Sequence, residues 1–336
     1  MNRINYKNFY HIWLKVNIIL IVLMVVVGGY TRLTGSGLSI TEWSLISGIL
    51  PPLTAVKWQE IFQLYQQIPQ YKEINFAMNL NDFKQIFWLE YLHRLLGRLI
   101  GLSIIIPGLF LYFSKYAEQR NKSKIILYSI LVVIQGVIGW FMVASGLSEL
   151  TSVSHYRLAL HLFTAFILFA LISIDLAKLN NISPIKYSKN YVKLYIIFYL
   201  LLIWQIIYGA FVAGLDAGYI YNDFPLMGKT LYPSEIFFVT ISEFFLSNIA
   251  TIQFIHRVAA ILLIFTAILL IFKNILQDIF GQTLIILLFI QFLLGIATLI
   301  TVVNIHLAVL HQLFALLLFT NATIYMVKIK DNGLLR

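Results

Sequence analysis

The sequence predicts an all-α integral membrane protein: eight transmembrane helices forming two duplicated four-helix bundles, with both termini inside. Three observations predict it. Of the 336 residues, 60% are apolar and only 11% are charged. Eight segments are apolar enough to cross a bilayer, which takes about 20 residues each. The chain also repeats its own motifs at roughly half its length.

The predicted spans run Ile12–Thr31, Leu89–Phe113, Ile125–Ala144, Leu158–Ala177, Val192–Leu215, Ile249–Phe272, Ile279–Val303 and His306–Val327. Positive charge stays on the inner side of a membrane and so orients them. One set of ends and loops carries Arg3, Lys7, Lys15, Lys115, Arg120, Lys122, Lys124, Lys178, Lys186, Lys189, Lys193, Lys273, Lys328, Lys330 and Arg336. The opposite loops hold Arg32, Lys57, Lys72, Lys84 and Lys229. The net charge of +10 is therefore an orientation signal, and no nucleic-acid partner is expected.

The absence of cysteine excludes iron–sulfur clusters, thiolate-ligated or c-type haem, disulfides and a catalytic thiol. The first apolar run lacks a small-x-small cleavage site, so no cleaved signal peptide is expected. The outer loops Arg32–Trp88 and Asp216–Asn248 are long and rich in aromatics and prolines, including Trp43, Pro51, Pro52 and Trp58. Short interfacial helices are expected there. Trp43, Pro51 and Pro52 in one loop, and Phe224, Pro225 and Met227 in the other, are expected to cover whatever lies beneath.

The duplication is read from aligned motifs. Tyr91-Leu92-His93-Arg94 on the second span returns as Phe254-Ile255-His256-Arg257 on the sixth. Gln135 with Gly139 returns as Gln291 with Gly295, and Leu160-His161 as Leu310-His311. Gly28-Gly29-Tyr30 at the end of the first span matches Gly209-Ala210-Phe211 on the fifth.

Each half thus carries one histidine on its second helix and one on its fourth, and these helices run the same way. His93 and His161 are expected at one depth, as are His256 and His311. Two imidazoles at equal depth in a four-helix bundle grip a b-type haem from both sides. Hydrogen-bonded structural histidines or a proton path are the alternatives. His306 stands about 140° round the helix from His311. His306, His155 (read as a loop residue) and His11 are taken as boundary histidines.

Glu90 precedes His93 by three residues, on the same helix face about 4.5 Å away along the axis. The matching position before His256 is Gln253. Two pure electron carriers would have no use for that asymmetry, so Glu90 is the candidate catalytic acid. The bland alternative is a helix-start acid favoured by the helix dipole. Arg32, Arg94, Arg98, Arg157 and Arg257 either clamp haem propionates or snorkel to headgroups. Gly136, Gly139 and Gly295 are expected to permit close packing of helices or of a flat porphyrin.

Several stretches resemble the haem A synthase family: Gly29-Tyr30-Thr31-Arg32-Leu33-Thr34-Gly35-Ser36-Gly37-Leu38-Ser39-Ile40-Thr41-Glu42-Trp43 with Gly48-Ile49-Leu50-Pro51-Pro52, then Glu90-Tyr91-Leu92-His93-Arg94, then Tyr156-Arg157-Leu158-Ala159-Leu160-His161. Gly209 to Gly218, Asn222-Asp223-Phe224-Pro225-Leu226-Met227 and His311-Gln312 resemble it too. Some members carry an outer-loop cysteine pair, and this chain resembles the cysteine-free branch of proteobacteria and mitochondria. The resemblance implies an oxidoreductase of the bacterial inner membrane that oxidises a ring methyl of haem O to the formyl group of haem A, for cytochrome oxidase assembly.

By the same resemblance, residues 1–180 hold haem O as substrate between His93 and His161, with Glu90 beside the reacting edge. Residues 181–336 hold haem b as cofactor between His256 and His311. The partners implied are haem O, the lipid bilayer and, for delivery, haem O synthase; a homo-oligomer is left open. A di-haem b electron-transfer subunit is the main alternative, expected to set its haems toward opposite membrane faces. A duplicated transporter would need broken helices and a polar midplane site.

Overall fold

The computed structural model describes residues 3–42, 47–148 and 150–331. Trp43 and Arg336 lie outside the described residues. Eight helices among them are long and apolar enough to cross a membrane. In chain order the helices are α1 (Arg3–Leu33), α2 (Ala55–Tyr65), α3 (Pro69–Glu73), α4 (Leu80–Tyr112), α5 (Gln119–Ser148) and α6 (His155–Leu179). Strand β1 (Ile185–Tyr187) leads to α7 (Lys189–Gly214), α8 (Ile241–Leu246), α9 (Ile249–Phe272), α10 (Ile279–Ile300), α11 (Ile305–Lys328) and strand β2 (Ile329–Asp331). The spans are α1, α4, α5, α6, α7, α9, α10 and α11, one for each predicted segment.

Leu, Ile, Val and Phe on outward faces, such as Ile12, Ile19 and Leu23 of α1 or Ile261 and Phe265 of α9, stay exposed in the isolated chain. Such faces are solvated by acyl chains rather than by a protein core. The chain divides into two compact units, Met1–Leu168 and Phe169–Arg336, and the division falls inside α6.

α4 begins nine residues before the predicted span. Asn79 and Asp82 form a capping box at its N-terminus, and the turns after it carry Phe83 and Phe87 on one face. These pack with Trp58, Phe62 and Tyr65 of α2 in an aromatic cluster that also takes in Leu38 and Val153. Tyr91 Oη donates to the Ile49 carbonyl at 2.6 Å. The first outer loop is thus a small helical layer with its own core. Hydropathy alone marks only the apolar part of α4, which explains the late predicted start.

The second unit is tied at the end that precedes α7. Strands β1 and β2 pair in parallel, Ile185 opposite Ile329. Tyr187 and Tyr191 both reach the Tyr325 hydroxyl, at 2.9 and 2.8 Å. Lys328 forms a buried ion pair with Asp278, the residue that caps α10.

Candidate functional site

Each of the four histidines rests on a glycine of the neighbouring helix. His93 of α4 faces Gly28 of α1, and His161 of α6 faces Gly139 of α5. His256 of α9 faces Gly209 of α7, and His311 of α10's partner α11 faces Gly295. A Cβ added to Gly139, Gly209 or Gly295 would meet the imidazole Cε1 at 3.1, 3.1 and 3.0 Å. At these three seats any side chain would crowd the ring edge, and glycine leaves it room against the neighbouring backbone. Gly136, by contrast, has nothing within 4 Å of such a Cβ, so no neighbouring helix packs closely against it.

A glutamine one turn before the glycine faces three of the rings. Gln135 Nε2 lies 3.2 Å from His161 Nδ1 and also donates to the His161 carbonyl at 2.9 Å. Thr164 Oγ1 donates to Gln135 Oε1 at 2.5 Å, which fixes the amide. Gln205 and Gln291 approach the Nε2 atoms of His256 and His311 at 3.3 and 3.4 Å. Rotating the amide offers its oxygen to a protonated ring nitrogen instead, so a glutamine serves either tautomer. Gln205 was absent from the sequence reading. Its signal is the spacing Gln-x-x-x-Gly, which occurs on α5, α7 and α10 alike.

Within each unit the two imidazoles stand on separate spans, His93 on α4 and His161 on α6, His256 on α9 and His311 on α11. Nδ1 of His256 and of His311 is buried without a hydrogen-bond partner among the described residues. At His256 and His311 one ring nitrogen is met by an amide and the other is bare, the donor arrangement of an iron-ligating imidazole, whereas at His161 the Gln135 amide reaches both ring nitrogens. Among the described residues no three His, Cys, Asp or Glu side chains gather to hold a bare metal ion. Two imidazoles suffice when a porphyrin supplies the equatorial nitrogens. The donor set therefore fits haem, one in each unit.

Glu90 is buried and fully bonded. Oε2 accepts from Ser39 Oγ at 2.7 Å and from the Ile40 amide at 2.8 Å. Oε1 accepts from Nε and NH2 of Arg94 at 2.9 and 2.6 Å. Arg94 also donates to the carbonyls of Ile40 and Glu42. Together they pin the segment that follows the 3-10 turn Ser36–Leu38 onto α4.

The second unit has the same latch with the hydrogen-bond sense reversed. Gln253 Nε2 donates to the carbonyls of Ala217 and Ile220 at 2.9 and 2.6 Å. Arg257 donates to Gln253 Oε1 at 3.2 Å and to the carbonyls of Tyr221, Asp223 and Leu226. Where the first loop offers donors, a carboxylate receives them; where the second offers carbonyls, an amide donates. Arg94 and Arg257 hold loop carbonyls, and Arg157 donates to the Phe141 carbonyl at 2.7 Å with its guanidinium over that ring.

Met227 is buried in the second outer loop, whereas Phe224 is partly exposed and meets Phe292 edge to face. His155 is the first residue of α6 rather than a loop residue, with its ring against Tyr156.

Eight membrane-length helices with two glycine-seated imidazoles in each unit are the architecture and donor set of integral membrane haem proteins. The sequence matches the COX15-CtaA family, cytochrome oxidase assembly protein, over residues 11–323. The chain belongs to that family. It is 42% identical to "Heme A synthase" of Pelagibacter ubique (strain HTCC1062), over 98% of both chains. It is 41% identical to the "Heme A synthase" of Wolbachia pipientis wMel, over 94% of this chain and 91% of that one. The protein of that name from Brucella ovis is also 41% identical, over 92% and 88%.

Proposed function

We infer that this protein is a haem A synthase: it oxidises a ring methyl of haem O to the formyl group of haem A, in the inner membrane of a bacterium. The observation that carries the reading is the pair of imidazoles seated on glycines in each unit, in a chain whose relatives bear that name. His93 and His161 hold the substrate haem in the half spanning residues 1–180. His256 and His311 hold haem b in the half spanning residues 181–336.

Written with water as the oxygen source, the oxidation runs from methyl to alcohol and from alcohol to gem-diol, each step consuming one water and giving up two protons and, to a one-electron acceptor outside this chain, two electrons. The diol then loses water to leave the aldehyde. Haem b, when bound, supplies one-electron redox chemistry within the same chain.

The residues of this chain bind, orient and shield. The Gln135 amide steers the His161 ring, and Gly28 and Gly139 let both rings sit close to backbone. Glu90 places a carboxylate in the substrate half alone. With four donors already on its oxygens, it serves as a fixed charge and loop anchor better than as a proton acceptor. Delivery of haem O by haem O synthase fits a substrate too insoluble to diffuse through water.

Extraction and chromatography of the haems from purified protein tests the reading. Haem O or haem A alongside haem b supports it. Haem b alone in both units would point to a di-haem electron-transfer subunit.

A further inference from the structure

The four histidine seats differ at one of them. One turn before the seat glycine stand Gln135, Gln205 and Gln291, but Met24 precedes Gly28. One turn after the histidine stand Ala165, Ala260 and Ala315, but Gly97 follows His93. The two departures touch: a Cβ on Gly97 would lie 3.4 Å from Met24 Cε. The missing methyl on α4 makes room for the thioether from α1, so the substitutions are a matched pair.

The ring responds. At the other three seats a Cβ on the glycine would meet the imidazole edge at Cε1 and then Nδ1. At Gly28 the nearest ring atom would be 3.5 Å away, against 3.0 to 3.1 Å at the other three seats, so His93 is held less closely by its glycine. Methionine carries no N–H, and its sulfur is a weak acceptor. His93 therefore lacks the amide that orients the other three imidazoles, and such outer partners hold metal-ligating histidines in place.

We propose that the Met24–Gly97 pair makes His93 the yielding ligand of the first pocket, with the amide-steered His161 as the fixed one. The inference rests on the reading of His93 and His161 as substrate ligands and adds how substrate and product exchange. A resident cofactor is best served by two steered imidazoles, as at His256 and His311. A haem that must arrive and depart needs one imidazole that lets go. Met24 acts through His93 and is a positioning residue.

Carbon monoxide added to the reduced, full-length protein reads this directly, because it binds ferrous haem only where an axial ligand leaves. The unmodified protein is expected to bind it at the first-pocket haem and not at haem b. Met24→Gln is expected to lower the carbon-monoxide-reactive fraction about tenfold and to retain more haem O and haem A through detergent washing, with haem b content unchanged. The reciprocal Gln205→Met is expected to make haem b reactive, a spectral change that a merely structural role would not produce.

Equal carbon monoxide binding by Met24→Gln and unmodified protein would overturn the proposal, as would a haem b still inert in Gln205→Met. The underlying reading fails in a different way. In that case His93→Ala and His161→Ala would leave the haem O and haem A content of the protein unchanged, whatever stands at position 24.

Discussion

The two halves keep the same frame and differ in how it is wired. In the first, a carboxylate, Glu90, collects a hydroxyl, an amide N–H and a guanidinium. In the second, the amide of Gln253 donates to two carbonyls. The difference teaches caution about reading a lone buried acid as chemistry. The loops changed with the side chain, so anchoring alone would account for the swap from Gln to Glu. What anchoring does not require is an ion pair with Arg94, in which the Glu90 side chain is 2% exposed and that of the arginine 11%. A buried pair of this kind is costly to desolvate and adds little net stability.

Exchanging the two residues breaks the comparison most sharply. Glu90→Gln leaves one acceptor oxygen and one NH2 group where Ser39 and Ile40 donate on one side and Arg94 on the other, so one set of donors loses its acceptor. Turnover of haem O is expected to fall by about two orders of magnitude, with haem b content and spectrum unchanged. Near-normal haem A production would remove the carboxylate from the reaction.

Filling a glycine seat comes next. Gly295→Val would push branched carbons into the His311 ring, which lies 3.0 Å from a mere Cβ. Loss of most of the haem b is expected, read from the haem spectrum of the purified protein.

The converse latch exchange is milder. Gln253→Glu would face carboxylate oxygens toward the Ala217 and Ile220 carbonyls and leave both without a donor. About 1–3 kcal/mol of stability is expected to go, seen as a lower thermal midpoint of the second unit. A smaller effect, about 1 kcal/mol, is expected for Tyr325→Phe, which removes the hydroxyl shared by Tyr187 and Tyr191. An unchanged midpoint in Gln253→Glu would show that the second latch does not hold its loop.

Much of this was legible in the chain because membrane helices are written in a single periodicity-free signal, length plus apolarity. The eight spans, the four histidines and the Gln135–Gly139 and Gln291–Gly295 repeats all come from order along the sequence. The start of α4 at Leu80 was not legible, since its first turns are held by aromatic packing on α2 rather than by lipid. Gln205 was legible in principle, four residues before Gly209 as Gln135 and Gln291 stand before their glycines, but its contact with His256 is made only by the packing of α7 on α9. Glu90 was found, but its bonds to Ser39 and Ile40 depend on how a loop folds back, which spacing does not encode.

The division of labour between the halves is tested most directly by the haems that survive loss of one ligand. His93→Ala and His256→Ala proteins, purified from the same membranes, are extracted and their haems separated by chromatography. The expected result is haem b at its normal level in His93→Ala with no haem A formed, and haem b lost from His256→Ala. Loss of haem b from His93→Ala as complete as from His256→Ala would contradict the assignment of separate haems to the two units.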